Sequence, residues 1–202
     1  MLRLYEHAAS GNCMKARMLL AHLEIPYERV ELDIFAGEAT TPEHLARNPS
    51  GATPVLELEN GEFIAESGAI LLYLAEGTPY LPADPVERAH VWQWLFFEQN
   101  GIEPGVATAR FWKWSGRDVE KPEAYADKIA RAEDELDVLE AHLSEHDFLV
   151  GERYSIADIA NYAYTHVAYE TGIDMSGRPA IAAWIARVES QPGVVNDLAP
   201  FP

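Results

Sequence analysis

Ala52-Thr53-Pro54-Val55-Leu56-Glu57-Leu58-Glu59-Asn60-Gly61-Glu62-Phe63-Ile64-Ala65 is the stretch on which the fold turns. Apolar runs flank the Asn60-Gly61 dipeptide and predict two strands joined in a hairpin. A proline stands directly ahead of the first strand. X–Pro bonds carry only a small trans preference, so Thr53-Pro54 is a candidate cis peptide. A cis bond would present the Thr53 backbone along a sheet edge, where an extended peptide can pair by strand addition. A trans proline opening an edge strand fits the same residues.

Outward from the hairpin, Glu66-Ser67 opens a helix that runs to about Glu76. Upstream, Asn48-Pro49-Ser50-Gly51 stops a short helix over Pro42 to Arg47. Tyr27 to Leu32 reads as a strand, and Pro26 ends the helix before it. That helix starts at Ser10-Gly11-Asn12 and sets Met14, Met18, Leu19 and Leu23 on one apolar face. Leu2 to Tyr5 alternates as a first strand. The order is βαβ, a short helix, then ββα: an α/β domain over residues 1–77. Residues 78–85 hold three prolines and read as a linker. Residues 86–202 read as all-α. The helical stretches run from Pro85 towards Gln99, over Ala124 to His142, over Ser155 to about Tyr169, and over Pro179 to Glu189.

Composition removes whole classes of function. The 202 residues carry 15 basic and 33 acidic side chains, a formal charge of −18, which disfavours nucleic acid and anionic membrane surfaces. At 48% hydrophobic and 24% charged, the chain has ample material for a core. No apolar run approaches the ~20 residues that span a bilayer, and the start lacks the apolar region of a signal peptide. One cysteine, Cys13, excludes an intrachain disulfide and fits a reducing, cytoplasmic setting. No zinc-ligand spacing and no phosphate-binding glycine loop is present, so neither a metal nor a nucleotide is expected.

Two short segments carry candidate chemistry. Ser10-Gly11-Asn12-Cys13 lies between the first strand and the first helix, where free N–H groups and the helix dipole stabilise an anion such as a thiolate. Ser10 and Asn12 can each donate to it; capping of the helix is their plainer use. Ser67 can likewise cap its helix or offer hydroxyl and N–H to a carboxylate, with Glu66 beside it to hold an ammonium group.

In this order, Leu4-Tyr5 before Ser10-Gly11-Asn12-Cys13, Asn48-Pro49 before Thr53-Pro54-Val55-Leu56, and Glu66-Ser67-Gly68-Ala69-Ile70 before Leu72-Tyr73-Leu74 resemble the cytosolic glutathione transferases. The likeness is to bacterial, serine-type members of nu- or theta-like kind. Ser155-Ile156-Ala157-Asp158 resembles the capping box of that family's second domain, with Tyr154 and Ile159 placed as a hydrophobic staple; its own chemistry is structural. The likeness covers nearly the whole chain.

The resemblance implies a thioredoxin-like N-terminal domain and a helical-bundle C-terminal domain. It implies activation of the glutathione thiol for attack on small electrophiles; the alternatives are a glutathione-dependent disulfide reductase or peroxidase, and a non-catalytic glutathione- or ligand-binding protein. Ser10, Asn12 and Cys13 would lie at the thiol. Glu66 and Ser67 would take the γ-glutamyl end, and Thr53, Pro54 and Val55 the cysteinyl backbone. Valine is usual in the family where Thr53 stands, but the contact is main-chain. His44 and Arg47 are candidates for the glycyl carboxylate, with Lys15 and Arg17 behind them. Arg110, Phe111 and Trp112 would line the pocket for the second substrate. In the homodimer that the family implies, Gln99 and Glu103 would reach the γ-glutamyl site of a second subunit. Cys13 matches the more buried cysteine of a C-x-x-C pair whose first member is here Ser10; a structural role and a mixed disulfide with glutathione are both open.

Overall fold

A computed structural model describes residues 1–201. The chain divides into two units: Met1–Glu76 joined by the segment from Pro192 onward, and Gly77–Gln191. The expected helical domain ran to residue 202, so the return of the chain end to the first unit is a correction. Its physical reason is a set of contacts from this segment to residues of the first unit, Asp197 to Arg17 and Pro192 to His22 among them.

In the first unit the order is β1 (Leu2–Glu6), α1 (Gly11–His22), β2 (Tyr27–Glu31), a 3-10 turn (Glu38–Thr40), α2 (Pro42–Arg47), β3 (Val55–Glu57), β4 (Phe63–Ala65) and α3 (Ser67–Ala75). The sheet order is β2-β1-β3-β4. β1 and β2 are parallel, in register Leu2↔Tyr27 to Glu6↔Glu31. β1 and β3 are antiparallel (Tyr5↔Val55), as are β3 and β4 (Leu56↔Ile64). The connection from β3 to β4 is longer than a two-residue turn. Gly61 N bonds Leu58 O at 2.9 Å and Leu58 N bonds Glu62 O at 2.8 Å, while Gly61 takes a φ of 86°. This is a turn followed by a left-handed residue, which glycine adopts without a Cβ clash.

Strand alternation sorts the side chains of β1 to two faces. Leu4 and Glu6 are fully buried on the side of α1, where Glu6 pairs with Arg17. Tyr5 points to the side of α2, 6.4 Å from the His44 ring. α1 and α3 pack against each other. Met14, Met18 and Leu19 of α1, and Ile70 and Leu71 of α3, are completely buried.

The second unit contains α4 (Pro85–Phe97), a π-helical run (Glu98–Ala107), α5 (Thr108–Ser115), α6 (Arg117–Glu120), α7 (Pro122–Leu143), α8 (Ile156–Thr165), a 3-10 turn (Ala168–Thr171) and α9 (Pro179–Glu189). The π-helical run, α5 and α6 were not read from the sequence. Pro104 sits inside the run and has no N–H for the ladder. The carbonyl of Asn100, which an α-helical residue 104 would bond, instead accepts from the Arg131 guanidinium of α7. A Cβ on Gly105 would lie 2.9 Å from the Ala132 Cα, so glycine lets the run approach α7 closely.

The expected capping box stands at the head of α8: Ser155 Oγ accepts from Ala157 N and the Asp158 carboxylate accepts from Ser155 N at 2.9 Å. Asp158 also accepts from Leu149 N and from Trp184 Nε1, each at 3.0 Å. One buried carboxylate therefore joins α8, the preceding loop and α9. No helix among the described residues is long and apolar enough to cross a membrane.

Candidate active site

The N-termini of α1 and α3 converge. Ser10 is the N-cap of α1; its backbone is extended and its Oγ accepts from Cys13 N at 3.4 Å. Asn12 follows in the first turn. Its Oδ1 accepts from Lys15 Nζ at 2.7 Å and from Ser67 Oγ, at the head of α3, at 3.2 Å. These two donors fix the orientation of the amide.

Ser67 is almost fully buried, and its hydroxyl goes to Asn12 rather than to a cap. The N-cap position of α3 is Glu66, which makes no side-chain capping bond. The first turn of α3 thus presents N–H groups with no capping side chain, a ready place for a carboxylate. Glu66 itself has a φ of 70° with an exposed side chain. A non-glycine residue in that region is strained by about 1–3 kcal/mol, and such strain collects at ligand sites.

The Thr53–Pro54 peptide is cis. The loop before it is tied down by two donors on one acceptor: the Ala52 carbonyl bonds His44 Nε2 at 3.1 Å and Asn48 Nδ2 at 2.9 Å. Asn48 Oδ1 in turn accepts from Ser50 N and Oγ. Val55, next along, is buried and begins β3.

Cys13, His44 and Arg110 all take buried positions. Cys13 is fully buried, and its sulfur accepts from His7 N at 3.4 Å. Burial pushes its thiol up, against the smaller opposing effect of the Ser10 and Thr53 hydroxyls. A buried thiol held protonated is a poor nucleophile, so Cys13 is a core residue. His44 is also fully buried, and its Nε2 meets the Ala52 carbonyl, so this nitrogen supports the loop, while Nδ1 has no hydrogen-bond partner. Arg47, beside it, pairs with Glu43 and lies 4.2 Å over the Tyr5 ring, on the α2 face.

Arg110 lies in the second unit. It is buried and joined to Glu170 at 2.5 Å, a strut between α5 and the 3-10 turn. Phe111 and Trp112 are half-buried, with the Arg117 guanidinium over Phe111 and the Lys128 ammonium over Trp112. Gln99 bridges two carboxylates, donating to Glu98 at 2.8 Å and Glu103 at 2.6 Å.

Tyr5 lies on the same face as Arg47, and its hydroxyl donates to Glu57 at 2.7 Å. It is therefore committed away from Ser10. Lys15 and Arg17 are both buried, Lys15 on Asn12 and Arg17 on Glu6. Asn48 was missed as a support residue, although it precedes Pro49 in a stretch the sequence marked as a turn. Two open depressions on this unit, of about 610 and 450 Å³, lie away from the converging helix ends. No cluster of three or more metal-ligating side chains occurs among the described residues.

The arrangement is thus two helix N-termini bridged by Asn12 and Ser67, with a cis-proline loop held nearby in the same unit. The glutathione S-transferase N-terminal domain model matches residues 1–76, and the C-terminal domain model matches residues 90–192. The chain belongs to the glutathione transferase family. Among solved structures, the glutathione S-transferase of Pseudomonas fluorescens superposes with a TM-score of 0.96 at 48% identity, over 98% of this chain and 99% of that one. The glutathione transferase of Burkholderia graminis, crystallised with two glutathione molecules bound per subunit, has a TM-score of 0.87 at 30% identity, over 98% and 87% of the chains. Among characterised relatives, the disulfide-bond oxidoreductase YfcG of Escherichia coli is 32% identical over 95% of this chain and 92% of its own length.

Proposed function

We propose that this transferase binds glutathione at the convergence of α1 and α3 and activates its thiol for transfer to small electrophiles. The observation that carries the reading is the Asn12–Ser67 bridge at 3.2 Å between the two helix heads. Glutathione has a γ-glutamyl carboxylate at one end and a thiol in the middle. The uncapped first turn of α3, with Ser67, takes the carboxylate, and Glu66 faces the ammonium group. The main chain of Thr53 pairs with the cysteinyl backbone, ahead of Pro54 and Val55. Ser10 donates its O–H to the sulfur, with the amide of Asn12 alongside. A free thiol has a pKa near ~8.5. A hydroxyl donor and a helix N-terminus lower it and so raise the thiolate fraction at neutral pH. Phe111 and Trp112 offer aromatic surface to an apolar second substrate.

The transferase acts as a homodimer in the cytoplasm. Trp92 and Phe96, one turn apart on α4, are 45% and 65% exposed, an apolar face suited to a second copy. A lone buried thiol suits a reducing compartment.

Glutathione-dependent disulfide reduction is the second reading, favoured by the likeness to YfcG. Here the glutathione thiolate attacks a disulfide sulfur, forms a mixed disulfide and expels the other thiolate. The chain itself contributes no redox thiol pair.

Purified protein assayed with glutathione and either a halogenated nitroaromatic or a small hydroxyalkyl disulfide separates the two. Turnover of the nitroaromatic supports conjugation, and turnover of the disulfide alone supports the second reading. No turnover of either, with glutathione still raising the melting temperature, leaves a binding protein. No melting shift with glutathione overturns the site itself.

A further inference from the structure

From Pro192 the chain runs back along α1. At the helix's C-terminal end, the His22 ring nitrogen Nδ1 meets the Pro192 carbonyl at 2.9 Å. Midway, the Asp197 carboxylate accepts from Arg17 Nε at 2.8 and 3.1 Å, and from Arg29 Nη1 at 3.3 Å. Beyond the helix's N-terminal end, Ala199 N donates to the Ala8 carbonyl at 3.1 Å. The segment is therefore an extended strap antiparallel to α1. Phe201 then meets Phe35 with ring centres 6.3 Å apart, and Phe35 stands edge-on to His7 at 5.2 Å.

Beneath the strap lies an ion network. Glu6 is fully buried and pairs with both Arg17 and Arg29. Glu6 carries one negative charge against two guanidinium groups, of which Arg17 is buried and Arg29 is exposed to water. Asp197 supplies the second negative charge and pairs with both arginines, which evens the charge around buried Arg17.

What the strap touches is the turn that ends in Ser10. The Ala8 carbonyl accepts from Ala199 N and from Arg17 Nη2 at 3.4 Å. The Ala8 N–H donates to the Glu31 carboxylate at 2.8 Å, and Ser10 N bonds His7 O at 3.0 Å. The peptide groups just ahead of the N-cap are thus held on both sides, and Asp197 holds the arginine that does part of the holding.

We propose that the C-terminal segment is a strap that fixes the Ala8–Ser10 turn, with Asp197 as a positioning residue for the hydroxyl of Ser10. This rests on the assignment of Ser10 to the glutathione thiol. Donor placement matters because a displacement of about 1 Å costs up to roughly 100-fold in rate.

The test compares Asp197→Asn, Asp197→Glu, a chain ending at Asn196, and Ser10→Ala. Thiolate absorbance of bound glutathione is followed against pH, and kcat and KM are measured separately. Asp197→Asn and the shortened chain are expected to raise the pH at which bound glutathione ionises. They lower kcat by roughly tenfold, with KM for glutathione moved by less than about threefold. Asp197→Glu recovers most of the loss. If the shortened chain does not fold, the Asn and Glu variants decide. A folded Asp197→Asn with unchanged ionisation and kcat, beside an impaired Ser10→Ala, overturns the strap alone. Unimpaired Ser10→Ala overturns the Ser10 assignment and the strap's role with it.

Discussion

Ser67 Oγ donates to Asn12 Oδ1 at 3.2 Å, joining the heads of two helices that lie 55 residues apart in the chain. In the proposed site the bond ties the residues assigned to the thiol end to those assigned to the γ-glutamyl end. Asn12→Ala and Ser67→Ala should each weaken glutathione binding several-fold. Because they share a bond, their effects should not add: the double variant should fall short of the sum by about 1 kcal/mol. Isothermal titration on the four proteins measures it, and strict additivity would remove the coupling.

Ser10 and Cys13 should separate cleanly. Ser10→Ala is expected to lose about one to two orders of magnitude in kcat/KM and about 1 kcal/mol of stability from the lost cap. Cys13→Ala should keep most activity, and native Cys13 should resist a thiol-directed alkylating agent until the chain is unfolded, because the sulfur is buried and its thiol is pushed up. Alkylation of the native protein accompanied by inactivation would contradict this assignment.

His44 and Asn48 share the Ala52 carbonyl. Asn48→Ala removes one donor from a loop acceptor and leaves its own partners Ser50 N and Oγ without Oδ1. A loss of roughly 1–3 kcal/mol is expected, read as a lower denaturant midpoint. KM for glutathione should rise more than kcat falls, because the loop leads into Thr53. His44→Leu comes close to the side-chain volume without the donor, and should show the same KM-weighted defect.

Burial pushes the Asp158 carboxyl up to about 6, against donors from Trp184, Leu149 and Ser155 that favour the charged form. The folded value lies above the unfolded value of about 3.9. The native state therefore binds this proton more tightly. Its contribution to stability is complete below pH ~4 and is lost as pH rises through about 6. The difference in unfolding free energy between wild type and Asp158→Asn should fall by roughly 3 kcal/mol across that window and then level off. Denaturant melts at half-unit steps would show it; a difference that stays flat, or grows, sinks the idea.

Replacement of Trp92 and Phe96 together by Glu should yield a monomer in sedimentation while leaving helicity intact, since both side chains are largely exposed within the chain. A variant that sediments like the wild type places the subunit contact elsewhere.

Many elements of both units were legible locally. Ser10 before a helix, Asn60-Gly61 between strands, Pro54 before β3 and the Ser155/Asp158 box are short-range signals, and each marks an element in the structure. The side chains expected to meet ligand were less legible. His44 and Arg47 lie on a short helix whose rotation no local rule sets, and Arg110 needed Glu170 to show that it is a buried strut. The π-helical run escaped because Pro104 reads as a break, and only the Arg131 bond to Asn100 shows how the backbone continues through it.

The sequence by itself determined the order of strands and helices in the first unit, the two helix heads and cis-proline candidate of the proposed site, and the family to which the chain belongs, because backbone preference and capping act over a few residues. Only the tertiary structure decided which way the side chains face. It sent Cys13 and His44 inward, joined Asn12 to Ser67, and laid Asp197 against Arg17. Those outcomes depend on burial and on partners far apart in the chain, and desolvation energies are not properties of a local stretch of sequence.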